Sequence, residues 1–431
     1  MHCLLQMLNE NIVRVIFIKV NSTYYPLSVK IPKTMNNYDI LKNHCKKIFF
    51  SGSGDVWYEE GTIGDDKSWY YRLYSWSLFS MYMFMTILEI MAAMFGDFPE
   101  EEMRDSVSLA VSHAIVMLKI YFLYSNKNLL KTMNQNMVRI CEAHEEPSLM
   151  AHKHRIVKIT LRVYFGIVYG STFCYVIEGI RKLFDGSHFV TVVTYYPSYE
   201  DDSFWANGFR IFNTIVLLML MMTMIVSVDS LTITYLIMFK YKFITLRHYF
   251  KTCSQDFFKL NDVDPRLAAD KLTDGIVEGI VMHNELLRMV KDFDQAFGTV
   301  MALQLFLSSG TAVSLLLQIA LADQLTLVAS LKMIFFVTAL VFILGLLLCN
   351  AGEITYQASL LPNALFYCGW HACVWQPPRR SVRRLVLLAC AQAQQPLVIK
   401  AFKMFELSYG TYLQVLKGTY SLFTLFYGQN Q

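Results

Sequence analysis

Charged residues are scarce in this sequence. Asp, Glu, Lys and Arg make up 17% of its 431 residues, whereas hydrophobic residues make up 55%. A water-soluble domain normally carries about 25% charged residues. This deficit, together with several long apolar runs, indicates that lipid surrounds much of the chain.

The sequence also lacks the motifs of the commoner enzymes and nucleic-acid-binding proteins. It has no glycine-rich phosphate loop with its lysine and no constellation of catalytic side chains. Cys368, His371 and Cys373 have a loose metal-ligand spacing, but a second ligand pair is absent. The basic residues are explained by membrane topology. We therefore expect no enzymatic activity, no metal or other cofactor, and no nucleic-acid partner.

The first 20 residues do not read as a cleavable signal peptide. Glu10, Arg14 and Lys19 interrupt the apolar stretch, and no small-residue cleavage site follows. This predicts an N-terminus that stays in the cytosol, where the glycosylation sequon at Asn21 would be unused. None of the nine cysteines lies in a loop predicted to be outside the cell, so no disulfide framework is expected.

Seven segments are long and apolar enough to be read as membrane spans. A spanning helix needs about 20 mostly apolar residues, because the hydrocarbon layer is roughly 30 Å thick. The first to the seventh predicted span cover residues 74–95, 107–124, 157–180, 211–239, 297–322, 326–348 and 405–426. The second is the weakest, since His113 and Lys119 interrupt it. The chain is therefore predicted to be an all-α membrane protein with seven transmembrane helices.

The distribution of Lys and Arg predicts the orientation. Basic residues are frequent in 1–73, in the loop between the second and third spans, in 240–296 and in 349–404, and they are sparse in the alternate loops. Cytosolic segments carry the excess of Lys and Arg. The N-terminus is therefore expected inside and the C-terminus outside. In 240–296, apolar residues recur at three- and four-residue steps, which predicts helices that project into the cytosol.

This orientation bears on the choice between receptor classes. G-protein-coupled receptors also have seven spans, but their N-terminus is outside. The chain also lacks an Asp/Glu-Arg-Tyr triplet after the third span and an Asn-Pro-x-x-Tyr stretch in the seventh. Secondary transporters commonly show broken spans in two related halves, and none is visible here. Both classes are kept as alternatives, with the G-protein-coupled receptor as the runner-up.

The seventh predicted span differs from the others because small and hydroxyl side chains lie among its apolar ones. Such residues permit close helix contacts and can line water. Several symmetry-related copies could enclose a pore, with an apolar ring of Leu422 and Leu425 as its gate and Gln429 at its mouth. Lys417 either faces an aqueous cavity or extends toward the cytosolic interface. The alternative for the whole span is an ordinary packed helix.

Three stretches resemble the insect odorant receptor family. The C-terminal stretch AQAQQPLVIKAFKMFELSYGTYLQVLKGTYSLFTLF is similar to that family's signature, in which Leu-Lys-x-Ser/Thr-Tyr-Ser-x-Phe follows a Gln/Lys-Pro pair. EITYQASLLPNALFYCGW resembles an upstream family segment, although Phe366 and Tyr367 alter its usual spacing. IVMHNELLRMVKDFDQAF resembles the helix that leads into the fifth span. The inverted seven-helix arrangement also matches that family.

The resemblance implies a function and a domain organisation. The chain lacks the longer fourth-to-fifth loop of the family's co-receptor, so it is similar to a ligand-tuning subunit. Such a subunit would assemble with the co-receptor into a tetrameric, odorant-gated cation channel in the plasma membrane of olfactory neurons. Residues 1–73 would be a cytosolic arm and 74–239 would hold spans one to four. Residues 240–296 and 349–404 would form a cytosolic anchor, 297–348 would hold spans five and six, and 405–431 would line the pore.

The same resemblance implies an odorant pocket in the outer half of the second, third, fourth and sixth spans. The residues expected to line it are Val107, Ala110, Val111, Tyr169, Phe173, Phe212, Val216 and Phe335. Such a pocket would hold volatile organic molecules mainly by shape and dispersion. For any one of these residues, lipid contact or core packing is an equal alternative.

Overall fold

The computed structural model describes residues 36–189, 192–321, 327–373 and 380–429. Residues 1–35 of the N-terminal arm, which include the sequon at Asn21, and the terminal residues 430–431 lie outside the described residues. In the described part, the α-helices are α1 Asn37–Phe50, α2 Trp69–Phe95, α3 Glu100–Ser125, α4 Lys127–Arg139, α5 Pro147–Phe184, α6 Phe204–Asn261, α7 Pro265–Leu321, α8 Leu327–Ser359, α9 Leu361–Phe366, α10 Arg380–Ala393 and α11 Tyr409–Gln429.

Single-turn 3₁₀ helices lie at Glu142–His144 and Trp370–Ala372. An antiparallel hairpin of β1 (Lys400–Ala401) and β2 (Phe405–Glu406) precedes α11. We call the end of the bundle that holds α1, α4, α9 and α10 the inner end, because these segments were predicted to be cytosolic. The opposite end is the outer end.

Six of the seven predicted spans coincide with helices that are long and apolar enough to cross a membrane. These are α2, α3, α5, α6, α7 and α8. The seventh, α11, has 21 residues and is long enough, but its polar side chains make it less apolar than the others. The predicted start of this span was wrong, because Phe405 and Glu406 form β2 and the helix begins at Tyr409. The Ser408 hydroxyl accepts a hydrogen bond from the Thr411 amide at 3.2 Å and caps the helix.

The longest helices extend beyond a bilayer. α6 has 58 residues and α7 has 57, which correspond to roughly 85 Å each at 1.5 Å per residue. The predicted cytosolic helices in 240–296 are thus continuous with the fourth and fifth spans. Residues 226–243 of α6 are buried without exception. A helix that is buried on all sides lies at the centre of its bundle, and α6 therefore forms the axis of the fold.

The N-terminal region is packed into the bundle rather than detached from it. Residues 51–57 are all buried. They contact α6 through the Ser51 hydroxyl, which lies 3.3 Å from the Ser227 hydroxyl. Asn134 of α4 donates to the Val56 carbonyl at 2.9 Å and accepts from the Tyr235 hydroxyl at 2.6 Å. The bond from Asn134 satisfies the Val56 carbonyl, a backbone group that would otherwise be buried without a partner. The 36–68 region therefore closes the inner end.

Candidate functional site

The outer halves of α5 and α8 meet through aromatic side chains. The Tyr175 and Phe336 rings pack edge to face with their centroids 5.6 Å apart, a favoured geometry for aromatic pairs. The Lys332 ammonium lies 5.2 Å from the Tyr175 ring centroid, a distance suited to a cation–π contact. One turn below, the Thr172 hydroxyl lies 3.1 Å from the Met222 sulfur of α6. This part of the bundle therefore combines aromatic and thioether groups with the Lys332 ammonium and the Thr172 hydroxyl.

A buried histidine joins α3 to α2 and α6 at a similar depth. His113 Nδ1 contacts the Glu89 carboxylate, and Nε2 contacts the Met221 sulfur. The side chains of His113 and Glu89 are both 0% exposed. The Tyr82 hydroxyl donates to the His113 carbonyl at 3.3 Å. Met221, Met222 and Tyr175 belong to one core, against which Phe336 packs. His113 joins α3 to it through Met221, and α2 reaches it through Glu89. These residues form one cluster across α3, α5, α6 and α8.

The predicted pocket residues of α3 and α5 lie mostly outside this cluster. Ala110 is buried, whereas Val107 and Val111 are exposed. Tyr169 and Phe173 are exposed as well, with Phe173 64% exposed. In the outer half of α5 the buried aromatic side chain is Tyr175, which lies two residues beyond Phe173 and therefore on the other face of the helix.

On α6 and α8, too, predicted pocket residues lie on the exposed face of the helix. Phe212 is 55% exposed and Phe335 is 50% exposed, while Val216 is half-buried and packs against the core. On α8 the inward ring belongs to Phe336, the neighbour of the predicted residue. The structure does not bring the eight predicted residues together in one cluster. Whether they line a pocket stays a prediction.

A shallow pocket lies at the outer end, under the segment that connects α5 to α6. Its lining includes Phe98, Val193, Tyr199 and Arg210, and it includes none of the eight predicted residues. Arg210 is only 7% exposed and donates to the carbonyls of Ser198 and Asp201 at 2.5 and 2.8 Å. These bonds hold the connecting segment against α6, so the segment covers the outer end of the bundle.

A charged network crosses the bundle within the membrane-spanning part. The Lys119 ammonium of α3 lies 3.3 Å from the Asp229 carboxylate of α6 and also contacts the side-chain oxygen of Gln304 of α7. The Tyr164 hydroxyl of α5 donates to Asp229 at 3.4 Å. All four side chains are buried. Ionisable groups in a membrane are retained where they are paired, and this network connects α3, α5 and α7 to α6.

The last helix packs along one narrow stripe. Tyr412, Thr419 and Phe423 are buried, and their spacing places them on one side of α11. The Tyr412 ring fits against Gly345 of α8, where an added Cβ would lie 3.2 Å from the ring. About two turns further along α8, an added Cβ at Gly352 would lie 3.0 Å from the Tyr409 ring. These glycines allow α11 to approach α8 closely.

The opposite side of α11 is exposed and is mostly small or polar. It carries Gly410, Gln414, Lys417, Gly418, Ser421, Leu425 and Gly428. At 100° per residue, Leu425 lies near the middle of this face and Leu422 lies at its edge. Lys417 is exposed on the same face, and the side chain of Gln429 lies outside the described part of the chain. The predicted pore and gate residues that are described thus all lie away from the packed stripe.

The inner end is held by a carboxylate between two buried lysines. Glu145 lies 2.8 Å from the ammonium groups of both Lys153 and Lys242. Asn37 of α1 donates to both Glu145 oxygens, at 3.0 and 3.1 Å. Burial raises the pKa of this carboxyl, but the two ammonium groups outweigh burial and leave its pKa below the ordinary value. Glu145 therefore stays ionised and joins α1, α5 and α6.

Comparisons with known proteins show similarity to odorant receptors. The family model of the 7tm odorant receptors matches residues 99–420. A relative from Drosophila melanogaster, Odorant receptor 13a, is 24% identical over 149 residues, which are 33% of this chain and 36% of that protein. The match thus spans about a third of the length of this curated relative.

The fold is similar to that of solved insect olfactory receptors. Olfactory receptor OR5 from Machilis hrabei aligns with a TM-score of 0.73 and 13% identity, covering 91% of this chain and 99% of OR5. OR5 in complex with eugenol aligns with a TM-score of 0.70 and 13% identity, covering 92% of this chain and 100% of OR5. At this identity the likeness concerns the fold alone. The chain is therefore a multi-pass helical membrane protein with the insect olfactory receptor fold.

Proposed function

The chain belongs to the 7tm odorant receptor family, and on this premise we propose that it is the ligand-tuning subunit of an odorant-gated, non-selective cation channel. Its partner would be the olfactory co-receptor, with which it forms a heterotetramer. The complex would act in the plasma membrane of olfactory-neuron dendrites, where it detects volatile apolar organic molecules. The N-terminus would be cytosolic and the C-terminus extracellular.

The exposed face of α11 is the observation that carries the channel function. Gln414, Lys417 and Ser421 form a polar strip on a helix of membrane-spanning length, opposite the stripe that packs on the rest of the chain. Polar groups that faced lipid would be costly. Symmetry-related copies of α11 would instead turn this strip toward a common aqueous axis. Leu425 would then form an apolar constriction that closes by dewetting.

The cluster around Tyr175 and Phe336 supports an odorant site. It lies on the four helices that the family resemblance implicates, and it offers aromatic and thioether surfaces beside a small set of polar groups. Such surfaces suit small apolar ligands. In this proposal the inward side chains of the cluster, together with Ala110 and Val216, contact the odorant. Binding would open the gate only to the extent that the open state binds the odorant more tightly.

The proposal is tested by recording currents from cells that express this chain with the co-receptor. We expect odorant-evoked cation currents that persist when G-protein signalling is blocked with a non-hydrolysable GDP analogue. Cells that express the co-receptor alone are the control, and they should not respond to the same odorants. Currents abolished by the GDP analogue would instead indicate a G-protein-coupled receptor. An epitope tag at Gln431 should be labelled on intact cells, and labelling only after permeabilisation would contradict the proposed topology.

A further inference from the structure

Five cations share one surface at the inner end, where α1 runs beside α5. Two contacts show that the helices lie side by side: Lys153 Nζ is 2.5 Å from Asn37 Oδ1, and Lys47 Nζ is 4.6 Å from the Phe165 ring centroid. We call this surface the inner basic cluster, which consists of Lys46, Lys47, Arg155, Lys158 and Arg162. All five are exposed.

Helical spacing brings the three cations of α5 together. Arg155, Lys158 and Arg162 are separated by three and four residues, so their side chains leave the same face of the helix. The contact of Lys47 with Phe165 places the end of α1 beside this face. The cluster therefore combines charges from two helices that are well separated in the sequence.

No carboxylate of the described residues neutralises these charges. None of the five cations has a carboxylate oxygen within 4.0 Å among residues 36–189, 192–321, 327–373 and 380–429. Asp39 belongs to α1 but precedes Lys46 by seven residues, about 10 Å along the axis. Lys153, by contrast, is buried and paired with Glu145. The exposed cluster thus retains its positive charge.

The depth of the cluster indicates what would face it. Lys158 and Arg162 lie inside the third predicted span, 157–180, and Phe165 lies almost one turn further in. Phe50, at the end of α1, is 60% exposed, as is usual for an aromatic residue at a membrane interface. A cation on the outer surface of a span extends toward the headgroups, and the anions at that level are lipid phosphates.

We propose that the inner basic cluster binds the headgroup of an anionic phospholipid of the cytosolic leaflet, one that carries several phosphates on its inositol ring. A single phosphodiester can engage one or two of these cations, whereas a headgroup with several phosphates can engage all five. Basic clusters of four to eight residues beside a membrane span recognise such lipids. The contact with the Phe165 ring places the Lys47 ammonium beside the cations of α5.

The test measures lipid binding by the purified full-length chain in a neutral detergent. Fluorescent short-chain phosphatidylinositol bisphosphate is titrated and its anisotropy is recorded, with fluorescent phosphatidylcholine as the neutral lipid. We expect the bisphosphate lipid to bind at least tenfold more tightly than phosphatidylcholine. The triple variant Lys47→Gln, Lys158→Gln, Arg162→Gln is expected to lose roughly 100-fold in affinity for the bisphosphate lipid.

Matched variants separate a site from general charge attraction. Lys259→Gln, Arg266→Gln and Lys271→Gln together remove two exposed lysines and one exposed arginine at the inner end, beside the α6–α7 turn, and should change affinity less than twofold. The charge-retaining variant Lys47→Arg, Lys158→Arg, Arg162→Lys should bind like the wild type, and the Tm of each variant shows whether it is folded. An equal loss in both Gln variants, or no preference over phosphatidylcholine, would overturn the proposal.

Soluble inositol trisphosphate serves as a competitor. Weak competition, at concentrations far above those of the lipid, is expected if the site reads a headgroup held at the membrane. Competition at equal concentrations would show that the surface binds free phosphates and would contradict the lipid assignment. None of these measurements depends on channel activity, so their outcome is independent of the proposed function.

Discussion

The Lys119 ammonium and the Asp229 carboxylate lie 3.3 Å apart, and their side chains are 2% and 3% exposed. Two opposite charges are thus held in the interior of a membrane bundle, where either one alone would be costly. Lys119 comes from the span that appeared weakest in the sequence because of this same residue. The pair explains how α3 carries a lysine and still packs against α6.

Replacing Asp229 with Asn should destabilise the protein. Lys119 would remain buried without a compensating charge. Removing one partner of a buried ion pair lowers the free energy of unfolding by about 3–5 kcal/mol. The Tm of the purified protein should therefore fall markedly, and the double variant Lys119→Met, Asp229→Leu should recover most of the loss. Glu60→Gln is the control, because the Lys67–Glu60 pair is 73% and 77% exposed and should not affect the Tm. An Asp229→Asn protein with wild-type Tm would show that the pair does not stabilise the bundle.

Replacing Glu145 with Gln should destabilise the inner end at neutral pH, since Lys153 and Lys242 would lose their shared carboxylate. Because the pKa of Glu145 is lowered in the folded protein, its stabilising effect is present above the ordinary glutamate pKa of 4.5 and is lost as the pH falls through the folded value. The Tm difference between wild type and variant should thus shrink below pH 4.5.

Glu146→Gln is the matched control for this pH series. The Glu146 side chain is 51% exposed and lies 3.7 Å from His248, so its removal should leave the Tm nearly unchanged across the pH series. A difference between Glu145→Gln and wild type that stays constant down to pH 4 would contradict the role of the Glu145 charge.

Gly352→Val should displace α11 from α8. Even a Cβ at this position would lie 3.0 Å from the Tyr409 ring and 3.2 Å from its backbone nitrogen, and the valine methyl groups would increase the overlap. Overpacking of this kind costs about 1–3 kcal/mol, so we expect a lower Tm and an altered resting current. Gly166→Val is the control, because no atom lies within 4 Å of a Cβ there. Similar effects of the two substitutions would argue against close packing at Gly352.

Leu425→Ala should raise the resting current of the channel formed with the co-receptor, because a smaller side chain leaves the constriction hydrated. Leu413→Ala makes the same truncation on the same helix. Leu413 is also exposed, but it lies about 120° around the helix from Leu425. Patch-clamp recordings without odorant should therefore separate the two variants. Equal resting currents in Leu425→Ala, Leu413→Ala and wild type would remove Leu425 from the gate.

Tyr175→Leu should shift the odorant dose–response curve to higher concentrations. It removes an inward ring that packs against Phe336, and loss of such an aromatic contact is worth about 1 kcal/mol, or roughly fivefold to tenfold in affinity. Phe173→Leu, on the exposed face of the same helix, should leave the curve in place. A larger shift for Phe173→Leu than for Tyr175→Leu would support the residues predicted from sequence over those of the inward cluster.

The buried face could be predicted from the sequence for α11 but not for α5. On α11, polar and small residues lie opposite the buried Tyr412, Thr419 and Phe423, so the pattern itself marked the unusual face. On α5, apolar side chains occur on both faces, so nothing in the sequence favoured Tyr175 over Phe173. The ion-pair partners of Lys119 and Glu145 could not be predicted from the sequence either, because the partners belong to other structural elements.

By itself, the sequence determined that this is a helical membrane protein and where six of its apolar spans lie. The bilayer is a solvent that requires apolar runs of a fixed length, and its two sides are distinguished by the placement of lysine and arginine. Only the tertiary structure decided which side of each span faces the bundle and which buried charges meet. Lipid is as apolar as the protein interior, so the alternation that marks the inward face of a soluble helix is absent here.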